Sequence, residues 1–221
     1  GIPVENSKGE ADAGQEELNY KYSDALDTAD NHTIIKNGIK EIAWTKGRSV
    51  TFMAKYDHKK AGSSSHIHQS LWSLDGKPSF EDHDDVHGMS ATMKHYIAGQ
   101  LAHARDITAF LAPYVNSYRR YVRDHAAPIN LAWGRDNRTT GIRVPLSGPV
   151  SRRVENRLAG MDCNPYLGIA STLACGYLGM KNEIWPDKRF EGDAYKAKEA
   201  IPQGLRQALD LFDAAKEIHD V

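Results

Sequence analysis

Between Ser63 and Trp72 the chain alternates polar and apolar side chains with the period of two that a strand imposes. His66, His68 and Ser70 therefore share one face, and Ile67 and Leu71 the other. Residues 1–16 show no period and read as loop, followed by a short strand from Glu17 to Tyr22. Asp30-Asn31 can cap a helix that carries Ile34, Ile35, Ile39, Ile42 and Ala43 on one flank and is stopped by Gly47. Ser49 to Ala54 reads as a strand, joined by a polar turn over residues 56–64 to the His66 strand. From Met89 to Leu111 apolar residues recur at helical spacing, predicting one long helix that Pro113 ends, with His95 and His103 at its surface or at an interface. Short strands are predicted over Pro128–Trp133, Gly141–Val144 and Arg152–Arg157. Asn164-Pro165 opens another helix through Leu178, and the tail from Ile201 to Ile218 is helical and amphipathic. This order predicts an α+β fold, in which antiparallel strands carry polar faces and helices pack outside.

A chain of 221 residues with 40% apolar content can bury a core as one domain or two small ones. Its 28 basic and 29 acidic residues nearly cancel. Bulk charge therefore gives no case for nucleic acid or an anionic membrane as partner, and any electrostatic recognition is local. No apolar run approaches the roughly 20 residues that cross a bilayer. The opening Gly1-Ile2-Pro3-Val4-Glu5 has neither the basic start nor the apolar stretch of a signal peptide, so a soluble cytoplasmic protein is expected. Cys163 and Cys175 show no zinc or disulfide spacing and are expected to be small core residues.

Two imidazoles and a hydroxyl in a row on a rigid element suit metal coordination or contact with a phosphorylated ligand. The run Arg153-Val154-Glu155-Asn156-Arg157 projects Arg153, Glu155 and Arg157 to one side by the same alternation, and three charges there are costly unless a ligand or metal compensates them. Arg119, Arg120, Arg135, Arg138 and Arg143 add guanidinium groups, whose planar forks match carboxylate and phosphate oxygens. Arg119, Arg123 and Arg135 read as solvated surface charges. Glu10 and Glu17 flank Ala13-Gly14-Gln15, where glycine lets the backbone turn tightly enough to aim both carboxylates at one point. Carboxylates with one imidazole suit Mg or Mn over zinc.

Taken together, these stretches resemble the glutamine synthetase superfamily over almost the whole chain. The run Glu10-Ala11-Asp12-Ala13-Gly14-Gln15-Glu16-Glu17 looks like the family's Gly-Gln-x-Glu motif. Thr51-Phe52-Met53-Ala54-Lys55, followed by Ser65-His66-Ile67-His68-Gln69-Ser70-Leu71, looks like its ATP and metal signature. Asn116-Ser117-Tyr118-Arg119-Arg120, Asn137-Arg138 with Arg143, Arg153 to Arg157 and Asn164-Pro165-Tyr166 follow in the family's order and spacing. The resemblance implies an ATP-dependent ligase that phosphorylates the side-chain carboxylate of glutamate and lets ammonia or an amine attack the acyl phosphate. It implies Glu10, Glu17, His66 and Glu155 as ligands of Mg or Mn, and Tyr22, His68, Ser70, Arg143 and Arg153 as ATP contacts. Gly62, Arg120 and Arg157 fall on positions that hold glutamate or the transferred phosphate, and Arg138 with Glu155 on catalytic ones. Such a division suits phosphoryl transfer, which is mostly positioning and charge cancellation.

Some family features are missing from the sequence. It corresponds to the central and later part of a family member, without the amino-terminal β-grasp domain and a short carboxy-terminal stretch. Family active sites form between subunits of a ring oligomer using that domain, so this stretch alone is expected to be inactive. Ala126 stands where ammonia-using members place a glutamate, and Ala61 replaces an asparagine of the glutamate loop. An alanine offers an apolar wall where a carboxylate would attract ammonium, which leans the reading towards an organic amine acceptor. Two other readings compete: a non-catalytic structural or sensing relative, and a metal-dependent hydrolase built on His-x-His. The hydrolase is disfavoured because no further His or Asp ligand set follows while arginines abound.

Overall fold

A computed structural model describes residues 1–122, 127–197 and 200–221. The fold is α+β, as expected. A four-stranded sheet runs in the order β3 (Ile67–Gln69), β6 (Val154–Asn156), β5 (Ile142–Val144), β4 (Trp133–Arg135). β3 and β5 pair antiparallel with the central β6, whereas β4 lies parallel to β5. Parallel neighbours ordinarily need a long crossover. Here only residues 136–141 connect them, and the chain turns back through Asp136 at φ 51°, a left-handed conformation that aspartate tolerates better than most residues. Asn130 holds this loop, its amide donating to Thr139 O and its carbonyl accepting from Gly141 N.

A separate antiparallel hairpin joins β1 (Val4–Gly9) to β2 (Glu16–Tyr20). The expected loop over 1–16 thus contains a strand. All six residues of β1 are exposed, so no burial pattern marks it in the sequence. The long helix α1 (Ala25–Thr45) starts earlier than Asp30-Asn31: Asp24 caps it, accepting from Asp27 N at 3.0 Å. Ser49–Ala54 forms no strand; Ala54 is buried, and its carbonyl accepts from Ser63 N.

The single helix expected over 89–111 is two, α2 (Ala91–Ala102) and α3 (Thr108–Leu111). His103 closes α2 as its C-cap, and its Nδ1 pairs with Asp106 Oδ2 at 3.0 Å. Neither histidine of this stretch is a free surface group. His103 is buried between Asp106 and Glu217, and His95 packs edge-on against Trp185. Helix α4 (Pro165–Lys181) begins where expected, with Asn164 accepting from Tyr166 N and Leu167 N. The tail forms α5 (Leu205–Ala214) and α6 (Lys216–His219).

The core has two parts. Phe80, Met89, Met93, Tyr96 and Ile97 pack under Trp133, Ile142, Val144 and Val154 of the sheet. Leu111, Ile129, Leu158, Cys163 and Cys175 form the second part, and burial raises both thiols, that of Cys163 to about 11. Both cysteines are therefore core residues, as expected. Helices α2 and α4 cross at backbone contact: a Cβ on Gly99 would lie 2.7 Å from Gly179 Cα. Among the described residues no helix is long and apolar enough to cross a membrane.

Candidate functional site

The alternation read from sequence is realised on β3 and β6. Val154, Gln69 and Asn156 turn away from the candidate site. Val154 enters the core, while Gln69 accepts from Tyr96 Oη at 2.8 Å and Gln100 Nε2 at 2.9 Å. Asn156 donates to Gln100 Oε1 at 3.1 Å. On the opposite face His68 lies in register with Glu155.

Glu155, 2% exposed, is the centre of this face. Its Oε1 accepts from Arg157 Nη1 at 2.7 Å and lies 3.1 Å from His66 Nδ1; its Oε2 accepts from Arg143 Nη1 at 2.7 Å. Burial alone would raise its pKa. The hydrogen bond and charge of His66, then Arg157, outweigh that and hold the carboxyl far below the usual carboxylate range. Burial lowers the pKa of His66 despite the opposing pull of Glu155, and pushes His68 down to about 4, with Arg153 adding to the shift. His68 Nδ1 in turn accepts from Arg153 Nε at 3.0 Å.

Behind this set, Arg120 is buried and donates to Leu158 O at 2.8 Å and Arg157 O at 3.0 Å, fixing the chain just beyond β6. Gly62 lies against it, where a Cβ would meet Arg120 Cγ at 2.8 Å and Ala54 O at the same distance. Gln15 Nε2 donates to Gly62 O at 3.1 Å, tying the hairpin turn to this loop. Arg157 Nε is buried with no acceptor among the described residues.

His66, His68, Arg143, Arg153, Arg157, Arg120 and Gly62 are thus gathered around or behind Glu155. Across the hairpin Glu10 and Glu17 both reach Lys8 Nζ, at 3.0 and 3.3 Å; burial would raise the pKa of Glu17, but hydrogen bonding with Asn19 and Glu10, then Lys8, lowers it, and Glu10 with Glu17 raises that of Lys8. Among the described residues no three His, Cys, Asp or Glu side chains form a group able to hold an ion. Ser70 Oγ accepts from Trp72 Nε1 at 3.2 Å, Tyr22 is 87% exposed, and Arg138 sits exposed in the loop between β4 and β5. Ala61 N donates to Asp12. Ala126 lies outside the described residues.

Sequence reasoning missed Asp136. Its carboxylate accepts from Arg143 Nε at 3.1 Å and so clamps the guanidinium that reaches Glu155. Only its position in a strained loop, seven residues before Arg143, marks it.

The chain matches the family model described as glutamine synthetase, catalytic domain, over residues 1–221. It is 43% identical to the γ-glutamylethanolamide synthetase GlnA4 of Streptomyces coelicolor over 96% of this chain and 45% of that protein. To the glutamate–isopropylamine ligase of a Pseudomonas species it is 41% identical, over 95% of this chain and 46% of the relative. A glutamine synthetase of Streptomyces coelicolor is 39% identical over 98% of this chain and 48% of that enzyme. Among solved structures, the GmaS/ADP complex superposes with a TM-score of 0.92 at 32% identity, covering 100% of this chain and 53% of that one. The chain therefore spans about half the length of the relatives it matches. With a family model matched from end to end and a solved backbone that follows its own, the chain belongs to the glutamine synthetase superfamily.

Proposed function

We propose that residues 1–221 are part of the catalytic domain of an ATP-dependent ligase that joins the γ-carboxylate of glutamate to ammonia or an amine through γ-glutamyl phosphate. The observation that carries this is the Glu155 face. Arg143 and Arg157 meet the Glu155 carboxylate there, Arg143 also that of Asp136, Arg153 donates to His68, and Arg157 Nε is buried with no acceptor among the described residues. That excess of positive charge suits an anion with several oxygens, such as a nucleotide triphosphate or a glutamate carboxylate.

In this reading Arg143 and Arg153 hold nucleotide phosphates, with His68 oriented by Arg153. Arg157 contacts glutamate or its phosphorylated form, and Arg120 with Gly62 sets the loop that frames it. Arg138, exposed and in reach of solvent, serves transfer of the phosphoryl group. The oxygen and imidazole donors of Glu155 with His66, and of Glu10 with Glu17, fit Mg or Mn in kind, as two pairs and not as one cluster. Such an ion, when bound, cancels charge on the phosphates. The organic-amine reading rests on Ala126 and on relatives named for ethanolamide and isopropylamine products, alongside others named glutamine synthetases. A ring of like subunits remains part of the proposal.

The test is phosphate release by the purified full-length protein with ATP and glutamate, offered ammonia, methylamine, isopropylamine, ethanolamine or putrescine. Release that needs both glutamate and an acceptor is expected, with an organic amine giving the highest kcat/KM. No glutamate-dependent release would remove the ligase reading, and a preference for ammonia would remove only the acceptor.

A further inference from the structure

A second set of basic side chains lies at the end of β4. Its centre is His87, on a loop held from both sides. The Asp85 carboxylate accepts from His87 N and Met89 N, each at 3.0 Å. The buried Arg152 donates to His87 O at 2.8 Å while pairing with Glu81 at 2.6 Å. Gly88 leaves room for that guanidinium, since a Cβ there would overlap Arg152 Nη2.

Two arginines face the His87 ring. Arg135 Nη1 lies 3.3 Å from Nδ1, and Arg189 Nη1 lies 2.9 Å from Nε2. Every guanidinium nitrogen is a donor, and an imidazole offers at most one acceptor nitrogen. His87 can therefore satisfy one arginine only, and the other aims its N–H at an N–H. Arg189 is partly compensated, because its Nε and Nη2 reach Glu191 Oε1 at 3.1 and 2.9 Å. Asp136, the nearest carboxylate in sequence to Arg135, is turned to Arg143 instead.

Arg135 and Arg189 also line a cleft of about 350 Å³, with Asn137, Leu146, Phe190 and Glu191 among its other walls. These walls are fixed to one another. Phe190 N donates to Trp133 O at 2.8 Å, Trp133 Nε1 to Asp187 O at 2.7 Å, and Asn137 Nδ2 to Gly192 O at 2.9 Å.

We propose that this cleft is a binding site for a phosphate-class oxyanion, held by the guanidinium groups of Arg135 and Arg189 with His87 as third donor. An anion placed there resolves the donor conflict, since it accepts from the arginine that His87 cannot serve. Phosphate fits better than carboxylate because a phosphoryl group brings three oxygens and up to two negative charges to three donor groups, two of them cationic. The site adjoins the Glu155 face through Asp136, which lines the cleft and accepts from Arg143, but it does not depend on the ligase reading.

The test follows histidine ring resonances in isotope-labelled full-length protein during titration with inorganic phosphate, glycerol 3-phosphate and, at matched ionic strength, acetate. His87 is assigned with His87→Gln, and His66 and His68 report separately on the Glu155 face. Saturable shifts of His87 with both phosphates, and not with acetate, are expected. Each of Arg135→Gln and Arg189→Gln should weaken the response about tenfold, the worth of one charged hydrogen bond. Tighter binding of glycerol 3-phosphate names an organic phosphate as the ligand; tighter inorganic phosphate names the free ion. Unchanged His66 and His68 resonances in the variants show that the fold persists. Absence of a His87 shift, an equal response to acetate, or a response that survives both replacements overturns the proposal.

Discussion

Glu155 and the Glu10–Glu17 pair are both carboxylate centres matched by cations, and they differ in almost every physical respect. Glu155 is buried on a central strand and takes short hydrogen bonds from two arginines whose own side chains are 15% exposed or less. Glu10 and Glu17 share one lysine across a hairpin with side chains 35% and 36% exposed, and Lys8 is half exposed. A buried charge without its partner is severely penalised, whereas water replaces a lost partner at the surface. The sheet face is therefore a fixed array of charges. The hairpin pair can exchange its cation at little cost.

The largest effect that would break this contrast comes from Glu155→Ala. Leaving Arg143 and Arg157 without their shared carboxylate should cost about 3–5 kcal/mol, read from urea unfolding. The stabilisation is present above the unfolded carboxyl pKa of about 4.3 and is lost as pH falls further, because the folded value lies lower. A loss below about 1 kcal/mol, the range of exposed pairs, would make the two centres equivalent.

Beside the links of Asp12 and Gln15 to the loop at Ala61 and Gly62, a neutral contact anchors the hairpin to α1. Tyr20 of β2 lies 2.9 Å from Nδ1 of the buried His32 on α1, whose Nε2 has no partner among the described residues. Burial, helped by Lys36, pushes His32 down to about 4. The unfolded ring takes up a proton near pH 6.5 and the folded one does not, so stability is full above that pH and falls as pH drops from about 6.5 to 4, by roughly 3 kcal/mol. In His32→Gln that part of the acid slope should vanish; an identical slope in melting curves would place the anchor elsewhere.

Smallest of all is Glu17→Ala, expected to cost less than about 1 kcal/mol, with the difference from wild type shrinking further in high salt. A salt-insensitive loss of several times that size would show the hairpin carboxylates to be as fixed as Glu155.

What could be read from sequence follows the same division. The faces of β3 and β6 were legible because alternation places His66, His68, Arg153, Glu155 and Arg157 without knowledge of any partner. The start of α4 was legible because Asn164-Pro165 is a local signal. Strand β1 was not, since an exposed strand shows no burial pattern. The break after α2 falls at the C-cap His103, and the parallel placement of β4 rests on a loop bent at Asp136, neither of which has a periodic mark. Arg135 reads as a solvated charge until the fold brings His87 to it across 48 positions.

Each strand of the central sheet is only three residues long, with Gln69 and Asn156 bound to α2 residues behind and His68 and Glu155 in front. Inserting or deleting one residue next to β3 or β6 would exchange these faces, carrying an ionised carboxylate into the helix layer. The loop over residues 72–79 can vary in length, but the spacing from Ser65 to Ser70 and from Arg152 to Leu158 cannot. A change of specificity along these two segments is thus expected to come through substitution and not through insertion or deletion.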